Sequence, residues 1–294
     1  MWLIISILGY FLNAVAAITD KILISKKIPN PAVYVFFISL LGLVGLVLAP
    51  WGFSWISWFY LGIALIAGVA FTGALLHLFK ALKIAESSRV TPFIGGFSPI
   101  FVFIFSFFIL GERLSFKQIV ALVIIILGTI LISSGRATQK NPIKAYVFSF
   151  ISALLFGLYY TLTKYLFDNL SFINGFVWLR LTTFVGALLL LVKVQNRQDI
   201  FHQNKETITQ SGPLFLFGQA AGAFSFLLIN YAISLTSVTV VNALQGLQYA
   251  FLLVLILILF KWRPSLLQEK MRGWVLVQKI AAIILIGLGL FLLV

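Results

Sequence analysis

Apolar residues occur along this chain in long uninterrupted blocks, and short polar links separate one block from the next. A helix needs about 20 mostly apolar residues to cross the hydrocarbon core of a bilayer, so each block predicts one transmembrane helix. The ten predicted spans are Trp2–Ser25, Pro31–Ala49, Ile56–Phe79, Ala85–Leu110, Phe116–Ser134, Ala145–Phe167, Phe172–Val192, Pro213–Ser234, Thr236–Phe260 and Gly273–Val294. The pattern therefore predicts an all-α integral membrane protein with ten transmembrane helices.

The fourth span differs from a plain membrane anchor because Pro92, Gly95, Gly96 and Pro99 interrupt it. Bends and small residues let neighbouring helices approach closely and allow backbone groups to be re-satisfied around a cavity. We expect this span to be the central helix of a solute pathway, with the ninth span as its counterpart.

The last five spans resemble a copy of the first five. Lys21, near the end of the first span, aligns with Lys164, near the end of the sixth. Because five is an odd number, two such copies must lie in opposite orientations, as in many secondary transporters. We expect one repeat at residues 1–139 and an inverted repeat at residues 140–294, placed around a central cavity.

Composition agrees with a membrane protein, since 62% of the 294 residues are hydrophobic and 10% are charged. The net charge of +14 would suggest nucleic acid as a partner of a soluble protein. Here nearly all loop cations follow odd-numbered spans, so topology and anionic lipid explain them, and no nucleic acid is expected. The positive-inside rule places both termini outside the plasma (inner) membrane. The first span is too long for a signal peptide and is expected to be retained.

The chain resembles a ten-helix member of the drug/metabolite transporter superfamily, in its EamA-like branch, over the whole length. The matching positions are Lys21, Lys164, Arg180, Phe156-Gly157 where the family usually has Trp-Gly, and the turn Gly111-Glu112-Arg113-Leu114-Ser115. The chain departs from the family pattern at Asn13-Ala14, at Phe37 and at residues 261–264. The resemblance implies a small metabolite, such as an amino acid, that is usually exported.

Arg180 is the most informative single residue. It stands eight residues inside the seventh span, about 12 Å along a helix, where a cation costs about 3 kcal/mol. A guanidinium binds carboxylate or phosphate through two hydrogen bonds, so Arg180 is a candidate anchor for an anionic or zwitterionic substrate. The alternative is a structural arginine satisfied by helix carbonyls or a fixed acid. The aromatic residues Trp178, Tyr159 and Tyr160 are candidates to line the same pathway.

Polar side chains on several spans complete the predicted substrate-binding set. The members on the ninth span lie on one helical face, and two more come from the first and eighth spans. They are Asn242, Gln245, Gln248, Tyr249, Asn13 and Gln219. Amides are costly in hydrocarbon unless they are paired, so these residues either line a cavity or form hydrogen bonds between helices.

Candidate gating or coupling residues lie near the ends of the spans. They are Lys21, Lys164, His77 and Glu86. Lysines at such places also serve as interfacial anchors, and Asp168 stands four residues after Lys164 as a partner. His77 and Glu86 fit either a solvated basic cluster or a proton-sensitive gate. The sequence places no acid at the middle of a span, which weakens classical proton antiport and leaves exchange or facilitated diffusion open.

No catalytic motif supports an enzyme, and the absence of cysteine excludes cysteine-based metal sites, so neither metal nor cofactor is expected. We expect a secondary transporter that moves a small metabolite, an amino acid or a related organic anion or zwitterion, by export or exchange through alternating access. The alternatives are a multidrug or quaternary-amine carrier with an aromatic-walled site, a lipid-headgroup flippase, and a non-transporting membrane scaffold or sensor. The internal repeat supplies both halves, so a monomer suffices.

Overall fold

The fold is given by a computed structural model that describes residues 1–26, 30–85, 87–133, 142–202, 205–262 and 274–293. Within these ranges the chain is helical and contains no β-strand. The α-helices are α1 (Trp2–Lys26), α2 (Pro31–Gly42), α3 (Trp58–Ile84), α4 (Ser87–Leu110), α5 (Phe116–Ser133), α6 (Pro142–Asn169), α7 (Phe172–Leu188), α8 (Val194–Phe201), α9 (Lys205–Leu235), α10 (Val238–Ala243), α11 (Gln245–Trp262) and α12 (Trp274–Leu293). Two 3₁₀ segments, Leu43–Trp51 and Leu189–Val192, extend α2 and α7.

Seven helical segments of the described chain are long and apolar enough to cross a membrane. The described parts of α5 and α12 contribute shorter apolar helices, Phe116–Leu131 and Ile280–Gly289. The chain is therefore a multi-pass helical membrane protein, and the number of ten crossings stays a prediction.

Side-chain caps and one glycine set several helix ends. Asn30 accepts a hydrogen bond from the Ala32 amide at the start of α2, where Pro31 occupies the first helical position. Gly111 ends α4 with a φ of +65°, in the left-handed region that glycine adopts without strain. Ser115 and Gln118 then exchange hydrogen bonds as a capping box at the start of α5. Residues 111–115 thus contain both the signal that ends α4 and the cap that begins α5.

The predicted ninth span is interrupted, whereas the fourth span is not. Helix α4 runs without a break despite its prolines and glycines, but α10 ends at Ala243 and α11 begins at Gln245. At this break the Tyr10 hydroxyl of α1 donates to the Val241 carbonyl at 2.8 Å. A side chain that binds a helix carbonyl is a known cause of such interruptions. The interruption in this pair of counterpart spans therefore lies in the ninth span.

The helices pack as two bundles of three spans each, joined by flanking helices. In the first bundle α1 packs against α9 and α11, and in the second α6 packs against α3 and α4. Glycines permit the closest approaches: a Cβ added to Gly68 of α3 would lie 2.3 Å from the Thr182 backbone of α7. Helices α5 and α12 pack against each other, and α2 with its 3₁₀ extension packs against α7.

The links between helices collect at two opposite ends of the molecule. At one end Asn30 donates to Asp199 at 2.7 Å, and Lys80 and Lys144 lie over the Phe148 ring, 5.7 and 5.9 Å from its centroid. We name this the basic end. The opposite end holds the links at residues 52–57, 111–115, 169–171 and 236–237.

Candidate functional site

Arg180 lies in the interior of the bundle, on α7, with 9% of its surface exposed. Its guanidinium carbon is 3.4 Å from the centroid of the Phe226 ring of α9 and 5.1 Å from that of Phe176, one turn earlier on α7. Among the described residues no carboxylate forms an ion pair with it. Two aromatic faces therefore hold the cation, and its charge is not neutralised by a described acid.

Two glycines of the neighbouring span make room for this arginine. A Cβ added to Gly42 would lie 3.3 Å from Arg180 Nη1, and one added to Gly45 would lie 3.3 Å from Arg180 Cγ and 3.0 Å from Phe176. Both glycines belong to α2 and its 3₁₀ extension. Because glycine has no side chain, the Arg180 side chain packs closely against the backbone at these two positions.

Beside the guanidinium lies a group of three buried polar side chains. The Tyr159 hydroxyl lies within electrostatic range of Arg180 and interacts with the side chains of Thr163 and Asn230. Tyr159 Oη, Thr163 Oγ1 and Asn230 Oδ1 are all buried and accept or donate no hydrogen bond within the described structure. The three groups interact with one another but form no hydrogen bond of full geometry, and an unsatisfied buried polar atom costs about 1–3 kcal/mol, so a polar group placed between them would be stabilised. We name Tyr159, Thr163 and Asn230 the polar trio.

A second polar group lies between α1, α4 and α11. Asn13 donates to Gln248 Oε1 at 3.0 Å, and the Tyr249 hydroxyl donates to the Thr91 carbonyl at 2.7 Å. Tyr160 is within electrostatic range of both Arg180 and Tyr249. Tyr160 therefore lies between this group and the guanidinium, close enough to interact electrostatically with both.

The other predicted binding residues lie in different surroundings. Trp178 points to the end opposite the basic end, where its indole donates to the Ser54 carbonyl at 3.0 Å and packs on Phe53 and Trp55. Asn242 donates to a carbonyl of its own helix, at 3.0 Å. The structure thus assigns Trp178 and Asn242 local contacts and does not bring them to Arg180.

Gln245 and Gln219 keep polar atoms toward the interior. Gln245 starts α11 next to the helix break, and its Oε1 is buried without a described hydrogen-bond partner. Gln219 of α9 is within interaction range of the Tyr34 hydroxyl of α2. The two glutamines interact with tyrosines, Gln245 with Tyr249 and Gln219 with Tyr34.

Of the gating candidates, Lys164 pairs with Asp168 at 2.7 Å, which confirms the predicted contact across one helical turn. His77 Nδ1 binds the Gly73 carbonyl of its own helix at 2.8 Å. Glu86 and the side chain of Lys21 lie outside the described residues, so their predicted roles have no structural description.

The predicted site includes neither Phe176 nor Asp20, whereas the helical spacing of Gln219, Phe226 and Asn230 on the eighth span indicates either a cavity lining or contacts between helices. Phe176 stands four residues before Arg180, a spacing that places both on one helical face. Helical spacing also aligns Phe226 with Gln219 and Asn230. The chain has thirty phenylalanines, however, and the sequence does not indicate which of these phenylalanines contact the Arg180 cation. Asp20 lies near the end of the first span, and its partner Tyr34 belongs to another span.

Chemically, this region can bind a polar ligand through a cation, amides and hydroxyls. In the described part of the chain no three His, Cys, Asp or Glu side chains come together as metal ligands. The arrangement of one guanidinium beside the polar trio suits recognition of an oxyanion.

Comparison with known proteins adds a family and a fold. The model of the EamA-like transporter family matches residues 1–134. No curated protein matches the chain significantly. A solved crystal structure of a protein superposes on it with a TM-score of 0.64 at 16% identity, covering 98% of this chain and 97% of that chain, which shows a shared fold. The predicted resemblance is therefore confirmed over residues 1–134, which match the model of the EamA-like transporter family.

Proposed function

We propose that this EamA-type membrane protein is a secondary transporter for a small organic anion or zwitterion, such as an amino acid, moved by export or exchange through alternating access. The observation that carries the proposal is Arg180, an interior cation without a described carboxylate partner, next to the polar trio. An intramembrane charge without a fixed counter-ion is expensive unless a ligand or water compensates it.

The guanidinium is suited to hold a carboxylate. The guanidinium carbon lies over the Phe226 ring, 3.4 Å from its centroid, so an aromatic contact positions the group. Donors of a guanidinium lie at its edges, so a stacked arginine keeps them for two parallel hydrogen bonds to one oxyanion. The adjacent hydroxyl of Tyr159 and amide of Asn230 would bind further polar groups of the same substrate.

The same contacts weigh against the quaternary-amine alternative. In such a carrier, aromatic faces bind the cationic substrate. Here Phe176 and Phe226 face the protein's own cation, and Trp178 packs on the link at residues 53–55. A second positive charge at this place would be repelled by Arg180.

The packing supports two inverted five-helix repeats at residues 1–139 and 140–294. If the sixth span corresponds to the first, the eighth to the third and the ninth to the fourth, the bundle α1, α9 and α11 maps onto the bundle α6, α3 and α4. Each bundle then combines helices of both repeats. Alternating access would be a movement of these two bundles relative to each other around the Arg180 region.

The interrupted ninth span supports a binding site at the same level. Discontinuous helices in transporters place helix termini next to the substrate, where backbone groups become available. The α10–α11 break lies beside Tyr10, which is within electrostatic range of Tyr160 and Tyr249. We further propose that the basic end faces the cytoplasm, so that both termini are outside the plasma membrane.

Counterflow in proteoliposomes tests the transport proposal. Vesicles with the purified protein would be loaded with a pool of unlabelled amino acids and organic acids and diluted into labelled amino acids, with protein-free vesicles as the control. The proposal predicts labelled uptake that depends on the internal pool. Uptake of a permanently cationic dye alone would favour the quaternary-amine carrier, and an absence of all counterflow would favour the scaffold or sensor.

A further inference from the structure

Asp20 places a carboxylate inside the apolar part of α1. It stands six residues before the end of that helix, about 9 Å along the axis. The hydroxyl of Tyr34 on α2 donates to Asp20 Oδ1. Tyr34 is fully buried, and its ring packs on Phe79 of α3 and Phe215 of α9 with centroid distances of 4.8 and 5.5 Å. The carboxylate therefore lies against an aromatic group and not in a polar loop.

Among the described residues, no lysine, arginine or histidine side chain forms an ion pair with Asp20. Lys80 of α3 lies over Phe148 of α6 instead. On α11, Tyr249 donates to α4, and on α9 the neutral Gln219 interacts with the Tyr34 hydroxyl. Tyr34 is thus the titratable side chain that contacts Asp20 in the described structure.

Lys21 follows Asp20 directly in the chain, and its side chain lies outside the described part. Consecutive residues on a helix point in directions about 100° apart. The two side chains therefore do not face each other as residues three or four positions apart would.

The position of Asp20 separates it from the proposed substrate anchor. Gln219, next to Tyr34, and Phe226, on the Arg180 guanidinium, are seven residues apart on α9, about 10 Å. In an amino acid the ammonium and carboxylate are attached to the same carbon, so one such substrate held by Arg180 does not reach Asp20. The carboxylate is therefore available to a different ligand.

We propose that Asp20 is a proton-binding site that couples transport to a proton gradient. The inference rests on the proposed transporter function and adds the coupling ion. A proton from water at the basic end binds a carboxylate oxygen of Asp20 to form the neutral acid and later leaves to water, while Tyr34 keeps its own proton. A charged carboxylate accepts the Tyr34 hydrogen bond more strongly than a neutral acid does. Protonation therefore loosens α1, with its bundle, from α2.

Infrared difference spectroscopy tests proton binding without a known substrate. Lipid-reconstituted protein would be compared between about pH 5 and pH 8, the range in which physiological proton exchange occurs. We expect a carbonyl band of a protonated carboxylic acid that is lost in Asp20→Asn and retained in Asp168→Asn, since Asp168 lies in an exposed pair with Lys164. A band that persists unchanged in Asp20→Asn, or no band in the wild type, would overturn the assignment.

A flux experiment tests the coupling. With labelled amino acids as the probe, a pH gradient should increase uptake into wild-type and Asp168→Asn proteoliposomes severalfold. Asp20→Asn should lose this response and keep counterflow without a gradient. An Asp20→Asn protein that responds to the gradient like the wild type would contradict the coupling role. Failure of the transport proposal itself would appear differently, as absent counterflow in every variant with the infrared band intact.

Discussion

Gly128 on α5 and Gly289 on α12 occupy reciprocal positions in one helix pair. A Cβ added to Gly128 would lie 2.9 Å from Ile286 Cγ1, and a Cβ added to Gly289 would lie 2.5 Å from Ile125 Cγ1. In each helix the isoleucine precedes the glycine by three residues. Such reciprocity, in which each helix uses the same residues toward the other, is typical of two elements related by a two-fold axis. It supports the proposed inverted repeat.

The first prediction concerns this pair. Replacing Gly289 by leucine should destabilise the protein by about 1–3 kcal/mol, because the added side chain forces two packed helices apart. Gly287→Leu is the matched control, since a Cβ at that position meets nothing within 4 Å. Thermal denaturation in detergent measures both. Equal melting temperatures for the two variants would contradict the packing.

The second prediction concerns the contact that positions α7. Gly68→Ala should lower stability and weaken ligand binding, because its Cβ would lie 2.3 Å from the Thr182 backbone, two residues after Arg180. Gly62→Ala on the same helix meets nothing within 4 Å and should behave like the wild type. Ligand-induced thermal stabilisation compares the variants. A Gly68→Ala protein with full ligand response would show that α3 does not position the arginine.

The third prediction concerns the Lys164–Asp168 pair. Half-exposed pairs across one helical turn contribute about 0.3–0.5 kcal/mol, and the Asp168 side chain is 46% exposed. Asp168→Asn should therefore change the melting temperature little and leave counterflow within about twofold of the wild type. A loss of counterflow in the folded variant would restore Lys164 as a gate.

The fourth prediction concerns a contact between the two bundles at the end opposite the basic end. Thr239 of α10 donates to Glu112 Oε2 at 2.9 Å, and its hydroxyl lies 2.9 Å from that of Ser106 on α4. Thr239→Val removes these hydrogen bonds and should open this end, whereas Thr239→Ser should keep it closed.

Accessibility of an introduced cysteine measures that opening. The natural chain has no cysteine, so a single introduced cysteine is the only site of alkylation. We choose Ser98→Cys because Ser98, on α4, is only 1% exposed. We expect severalfold faster alkylation with Thr239→Val and an unchanged rate with Thr239→Ser. Equal rates in both backgrounds would show that the contact does not control access.

The helical fold was predictable because apolar blocks of bilayer length leave few alternatives. The break between α10 and α11 was not. It depends on Tyr10, which comes from a span more than two hundred residues away in the chain. The prolines of α4 gave a stronger local signal for an interruption, yet that helix is continuous.

The sequence predicts the charged residue of the site, Arg180, better than it predicts the residues that contact it. Arg180 is conspicuous in an apolar span, and Tyr159 and Tyr160 were assigned to it. Trp178, only two residues from Arg180, was expected nearby, but a helical step of two residues turns a side chain to another face. Phe226 and Asn230 belong to a different span, so their contacts with the site depend on tertiary packing.

The most direct test of the account is ligand stabilisation of purified protein with and without the Arg180 guanidinium. Wild type, Arg180→Ala, Arg180→Lys and the exposed control Arg197→Ala would be screened against amino acids, organic acids, phosphorylated metabolites and quaternary amines. We predict an anionic or zwitterionic ligand that stabilises the wild type and Arg197→Ala, loses its effect in Arg180→Ala, and binds Arg180→Lys about tenfold more weakly because one charged hydrogen bond is lost. Full stabilisation of folded Arg180→Ala by the same ligand would contradict the account and make Arg180 a structural residue.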